Sequence, residues 1–304
     1  MRKPLLGAYV MERLAYIDSI FVRSTRKLEP GYLQRLKDSL VPDPRFPWER
    51  YFGDKWEYVN LDTGEIFFHY VHLIHQPTKA ALGVLQEIQD EQPDVLHLLD
   101  VHFALDLTTG SEADAMALHE AILSVYTPAR LALTGRESEH ETSYVGRRRS
   151  GNEVGVYSDG KRKVRPNTPR VHLEWRIHGA TALRRSGIRT ASDLTRIDHR
   201  AFWKKRLRLH IMPTMDRLLR LLELRAARRG HPLSPERRAH TLNMISRFSK
   251  DYTGRFSAHY LDYYLHLGLH PKPAQLYKRL SNDWALPEPS NALWNDGLAG
   301  RGSV

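Results

Sequence analysis

The chain has 304 residues, 41% of them apolar, no cysteine and a formal charge of +11, enough material for one large domain or two ordinary ones with a buried core. No stretch reaches the ~18 to 20 consecutive apolar residues of a membrane helix, and the opening "MRKPLLGAYVMERLAYID" meets Glu12 and Arg13 too early for a secretory apolar region, so export and membrane insertion are not expected. Lack of cysteine excludes a disulfide framework and a thiolate metal site, favours a cytoplasmic location, and leaves His, Asp and Glu to hold any metal.

Along the chain, "YIDSIFVRST" reads as a strand and "EPGYLQRLKDSL" as a short helix, followed by "KWEYVNLDTGEIFFHYVHLIH" as two strands around an Asp-Thr-Gly turn. "TKAALGVLQEIQDE" has helical spacing with Thr78 as N-cap, "DVLHLLDVHFALDL" reads as a buried central strand, and a helix follows Ser111. "ARLALTGR", "TSYVGRR", "NEVGVYS" and "RVHLEWRIHG" read as four further strands, three of them a meander. This order predicts an α+β fold with a largely antiparallel sheet over residues 1–180. Residues 181–290 read as an all-α, basic helical region, and 291–304 as an irregular tail. Within the helical region the spacing predicts one long Leu/Arg-rich helix over 199–229, broken by Pro213, and another across "KPAQLYKRLSNDW".

Positive charge is concentrated in two segments. Residues 144–165 carry seven Arg/Lys against two acids, and residues 184–229 carry fourteen against four. Such clustering suits a polyanion, nucleic acid foremost.

Alternation along "LLDVHFALDL" assigns Asp100, His102, Ala104 and Asp106 to one face, opposite Leu99, Val101, Phe103 and Leu105. In "RVHLEWRIHG" it assigns Arg170, His172, Glu174, Arg176 and His178 to one face. Carboxylates and imidazoles on paired strands suit a Mg²⁺ or Mn²⁺ site. A sheet with one wet face, its charges paired across strands, produces the same pattern. His69, His72 and His75 do not share a strand face and read as structural.

Between the basic runs lie Tyr144 and Tyr157. A phenol near pKa 10 becomes a nucleophile when cations stabilise its phenolate. Either tyrosine could attack a phosphodiester while Arg147, Arg148, Arg149, Lys161 and Lys163 hold phosphates, or both could be ordinary strand residues.

The succession "TSYVGRRRSGNEVGVYSDGK" then "RVHLEWRIHG", with "LLDVHFALDL" and "YIDSIFV" upstream, resembles the replication initiation factor family over roughly residues 14–200. That family comprises rolling-circle plasmid initiators, filamentous-phage nicking proteins and relaxases of integrative elements. The resemblance implies a metal-dependent nickase in which a tyrosine becomes joined to the 5′ phosphate of origin DNA and a 3′ hydroxyl is left as primer. It implies Tyr157 as nucleophile, with Tyr144 in the T-x-Y-x-G part and Lys161 as the phosphate-steadying lysine, although "YSDGK" sets that lysine farther from the tyrosine than in the family. Glu174 and Asp106 fall at acidic positions of the family's strands. His102 stands for the first Asp of the earlier strand, Asp100 for its Arg, and His172 for the Arg before Glu174.

The expected site is therefore Tyr157 with Asp106, Glu174 and His102, and with Asp18 or His172, around Mg²⁺ or Mn²⁺. Arg147 to Arg149, Lys161, Arg162, Lys163, Arg165 and Arg176 are expected to grip DNA. Expected partners are origin DNA, single-stranded or hairpin at the nick, then a host helicase and DNA polymerase, with a homodimer allowed and no membrane. The alternative is a non-catalytic DNA-binding protein. A tyrosine recombinase fits poorly, because His172 and Arg176 are four apart on a strand rather than a helix.

Overall fold

The computed structural model describes residues 6–40, 52–59, 62–64, 66–125, 143–147, 151–158, 168–207, 209–211, isolated positions between 220 and 239, 278–279 and 283–287. Seven strands form one antiparallel sheet: β1 (Glu12–Ser24), β2 (Phe52–Val59), β3 (Ile66–His75), β4 (Leu96–Thr108), β5 (Ser143–Arg147), β6 (Asn152–Tyr157) and β7 (Arg170–His178). Their order across the sheet is β2-β3-β1-β4-β7-β6-β5, which puts the apolar run of β4 at the centre as its sequence predicts. Helices α1 (Pro30–Asp38), α2 (Lys79–Glu91), α3 (Glu112–Val125), α4 (Ala180–Arg185), α5 (Ala191–Thr195) and α6 (His199–Arg206) accompany it. The fold is α+β and antiparallel. No helix of the described residues is long and apolar enough to cross a membrane. The expected strand "ARLALTGR" lies outside the described residues.

Local signals account for the helices. Thr78 caps α2, its hydroxyl accepting the Ala81 amide at 2.9 Å. In α2 the apolar residues Ala81, Leu82, Leu85 and Ile88 recur at helical spacing and are fully buried. Side chains of the same helix cap α5: Gln89 Oε1 accepts the Ala191 amide at 2.9 Å, and Gln86 Oε1 the Ser192 amide at 2.7 Å. One core joins strand residues Ile17, Ile20, Val101, Phe103, Leu105, Leu173 and Ile177 to the helices, and it includes Leu183, Leu194 and Trp203. Hydrophobic packing thus runs continuously past residue 180.

Two expectations about helices are corrected. The helix predicted over 199–229 is not continuous, because α6 ends at Arg206 and Leu207 is extended. Leu207 and Leu209 are both buried, so their period of two prevails over helical spacing. His210–Ile211 (β8) then pairs with Lys278–Arg279 (β9), which puts a strand where "KPAQLYKRLSNDW" predicts helix.

Candidate active site

The face of the sheet opposite the helices carries the polar residues, and its register assembles them in rows. Across the strands run Glu153, Arg176, His102, Ser19 and His75; then Gly155, Glu174, Ala104 and Tyr16; then Tyr157, His172, Asp106 and Leu14. The expected wet face is corrected, since Asp106, Glu174, His102 and Tyr16 are all buried, while its charges do pair across strands, Asp106 with His172, Asp100 with His178 and Glu153 with Arg176. Leu99 is corrected too: the β1–β4 register slips beside it, and it is half-buried outside the core.

A second irregularity positions Asp18. Ile17 pairs with Phe103 and Ser19 with His102, so Asp18 is the extra residue of a β-bulge. Bulges redirect side chains, and here Asp18 lines a cavity of about 330 Å³ with Ser19, His75, His102, Tyr157, His172 and Glu174. Arg170 and Arg176 also line it.

Tyr157 is held at its hydroxyl. It donates to Glu174 Oε2 at 2.6 Å, and Arg176 Nη2 donates to the phenolic oxygen. The same Arg176 nitrogen lies 2.7 Å from Glu174 Oε2. Gly155 makes room for this pose, because a Cβ there would come within 2.7 Å of the Tyr157 hydroxyl and 2.9 Å of its ring. The ring of His172 sits beside that of Tyr157, with centroids 5.3 Å apart.

Glu174 is the hub. Burial by itself raises its carboxyl, but the hydrogen bond from His102 and the charge of Arg176 outweigh burial and hold it well below the usual range. An ionised carboxylate only accepts, so the His102 Nδ1 that lies 2.8 Å from Glu174 Oε1 carries the proton. Ser19 Oγ is 3.0 Å from the same nitrogen.

Asp106 has a different environment. Its Oδ1 is 2.6 Å from His172 Nδ1, while Oδ2 accepts from Arg170 and from the Tyr16 hydroxyl at 3.3 Å. Burial raises this carboxyl, yet Arg170 and His172 more than compensate and lower it. Tyr16 is pushed well above a normal phenol, first by burial and then by Asp106.

One donor atom from each of Asp18, His102 and Glu174 lies within 4.8 Å of the others, and all three residues are buried. Two carboxylates and an imidazole fit a hard divalent cation. Of the predicted site residues, Asp18, His102, Glu174, Tyr157, His172 and Arg176 thus line one cavity. Asp106 stands one row away, in its own pairing with Arg170 and His172. Tyr144 pairs in register with Gly155, and Arg147 with Asn152. Arg148, Arg149, Lys161, Arg162, Lys163 and Arg165 lie outside the described residues.

Sequence reasoning missed Ser19 and His75 as members of the site. His75 ends β3 opposite Ser19, a neighbourhood that only strand pairing creates. His72, from the same triplet, is structural as expected: Ser24 Oγ lies 3.1 Å from its Nε2, and burial lowers its pKa to about 4.

Fold and site together define a class: an antiparallel α+β protein whose polar sheet face gathers a tyrosine, an arginine and a buried His/Asp/Glu group able to hold a metal. No family model and no curated protein matches the chain. Among solved structures it is similar to the rolling circle replication initiator protein from Geobacillus stearothermophilus, with 11% identity, a TM-score of 0.36, and coverage of 67% of this chain and 89% of that one. It is also similar to the regulatory subunit of aspartate kinase from Thermus flavus, with 11% identity, a TM-score of 0.16, and coverage of 62% and 99%.

Proposed function

We propose that the chain is a metal-dependent DNA strand-nicking enzyme of the rolling-circle initiator kind, with Tyr157 as nucleophile. The observation that carries this reading is the Tyr157 hydroxyl, bonded at once to the Glu174 carboxylate and the Arg176 guanidinium on the wall of a cavity. Glu174 aligns the phenol and receives its proton; Arg176 stabilises the negative charge that develops on the oxygen. The phenolic oxygen forms a bond to phosphorus, the bond from phosphorus to the 3′ oxygen breaks, and the proton passes to that oxygen to give the 3′ hydroxyl. His172, held at Nδ1 by Asp106, packs on the Tyr157 ring and limits its swing. Asp18, Glu174 and His102 would hold Mg²⁺ or Mn²⁺, which supplies Lewis-acid polarisation of the phosphate. Origin DNA is the substrate in this reading, its backbone gripped by the arginines and lysines of residues 147–165.

Incubation with single-stranded oligonucleotides spanning hairpin origins, plus Mn²⁺ or Mg²⁺, tests it on a denaturing gel. The expected outcome is a cation-dependent covalent adduct. Salt-sensitive binding with no adduct on any oligonucleotide would identify a non-catalytic DNA-binding protein and end the nickase reading.

A further inference from the structure

Strand β1 turns Ser19 and Phe21 toward the cavity and Ile20 and Val22 into the core. Phe21 pairs with Leu73 of β3 and with Asp100 of β4, at the second slip in the β1–β4 register. Among the described residues that line the cavity it is the one hydrocarbon side chain; the others are acids, bases, a serine and a tyrosine. The ring is half-buried and, unlike Ile20 and Val22, is not part of the core. Core packing therefore does not account for an aromatic residue at this position.

Two side chains connect Phe21 to the tyrosine. The Tyr157 hydroxyl donates to Glu174 Oε2 at 2.6 Å, and Glu174 Oε1 is 2.8 Å from His102 Nδ1. The His102 ring in turn lies against Phe21, with centroids 5.4 Å apart and planes inclined by 48°. One part of the cavity thus offers Arg176 beside Tyr157, and another offers a flat apolar ring. Single-stranded nucleic acid is recognised by this combination: cations take the backbone, and an aromatic face takes a base, whose own face is open only when the base is unstacked. The cavity volume of about 330 Å³ lies at the low end of the ~300–1,000 Å³ of small-ligand sites, which suits one nucleotide rather than a duplex.

We propose that Phe21 is the stacking platform for an unpaired base next to the phosphate that Tyr157 attacks. The inference rests on the nickase reading for its substrate and adds the residue that favours unpaired over paired DNA at the point of attack. A phenyl ring makes no hydrogen bond to a base edge, so all four bases are accepted there, and the larger purines bind more tightly than pyrimidines.

The test is fluorescence anisotropy with labelled oligo(dA), oligo(dT) and an abasic deoxyribose-phosphate chain, each of about ten units, in Mg²⁺. The wild-type chain, Phe21→Leu and Phe21→Trp are compared, with thermal melts showing that the variants fold. Oligo(dA) should bind more tightly than oligo(dT), and both more tightly than the abasic chain of equal charge. Phe21→Leu should weaken oligo(dA) on the order of 5-fold or more while changing the abasic chain by less than about twofold, and Phe21→Trp should keep the oligo(dA) affinity. The proposal is overturned if no oligonucleotide binds, if the abasic chain binds as tightly as oligo(dA), or if Phe21→Leu leaves oligo(dA) unchanged. It is equally overturned if Phe21→Leu weakens all three probes alike, the result of a merely structural role. Base-dependent binding that Phe21→Leu abolishes, with no adduct on any origin oligonucleotide, keeps the stacking platform and ends the nickase reading. An adduct together with oligo(dA) binding that Phe21→Leu leaves intact does the reverse.

Discussion

The two faces of the central sheet are both buried, and by different physics. Toward the helices, Ile17, Val101, Phe103, Leu105 and Ile177 pack into a continuous apolar core, where burial is non-directional and substitutions of similar volume are tolerated. On the other face, Tyr16, Asp106, Arg170, Glu174 and His102 are buried as a hydrogen-bonded set, with Leu14, Tyr16 and Ala104 as a small apolar floor. Each member there is stable only while its partners remain, so one change leaves a charge exposed to a dry interior. The core face should therefore answer to volume and the polar face to charge.

The largest effect tests this directly. Arg170→Ala, which strands the buried Asp106 carboxylate, should cost about 3–5 kcal/mol in urea denaturation. Replacing Arg170 by Met together with Asp106 by Leu should recover most of that loss. On the core face Phe103→Ala should cost a similar ~3–5 kcal/mol through lost burial and a cavity, whereas Phe103→Leu should cost far less. If the double replacement on the polar face is as damaging as Arg170→Ala alone, the contrast between the faces fails.

Acid gives the next effect in size. His72 and His199 are both lowered to about 4, by burial in each case. Unfolded histidines titrate near 6.5, so the unfolded chain binds more protons between the two values. Stability is fully present above about pH 6.5 and falls as pH drops toward 4, by up to about 3 kcal/mol for each group. Asp106 and Glu174, both lowered, add a further loss below the ordinary carboxylate range. Denaturation midpoints between pH 7 and 4 should show the fall, and His72→Leu with His199→Leu should flatten it. Smaller again is Thr78→Ala, which removes the α2 cap and should cost about 1 kcal/mol. Gly155→Ala should leave the melting temperature nearly unchanged while displacing Tyr157, so adduct formation falls about tenfold or more without unfolding.

Much of the fold was legible because its signals are local. Alternation marked β4 and β7, and hydroxyl caps marked the starts of α2 and α3. The pairing of Glu174 with Tyr157 was legible only as an order of motifs, since it depends on β6 lying beside β7. The bulge at Asp18 left no period to read; it adds one residue to β1, and only pairing with β4 reveals it. His75 and Ser19 entered the site through the β1–β3 register, which no single strand encodes. The helix expected across 207–211 failed because Leu207 and Leu209 bury at strand spacing inside a sequence otherwise rich in helix formers.

In the proposed reaction Tyr157, and not Tyr144, is the group that attacks DNA. Its most direct test is protease digestion of the cation-dependent adduct, with mass spectrometry of the nucleotide-bearing peptide. The nucleotide is expected on the peptide containing Tyr157, with no adduct from Tyr157→Phe. A nucleotide on the Tyr144 peptide, or an undiminished adduct from Tyr157→Phe, would contradict it.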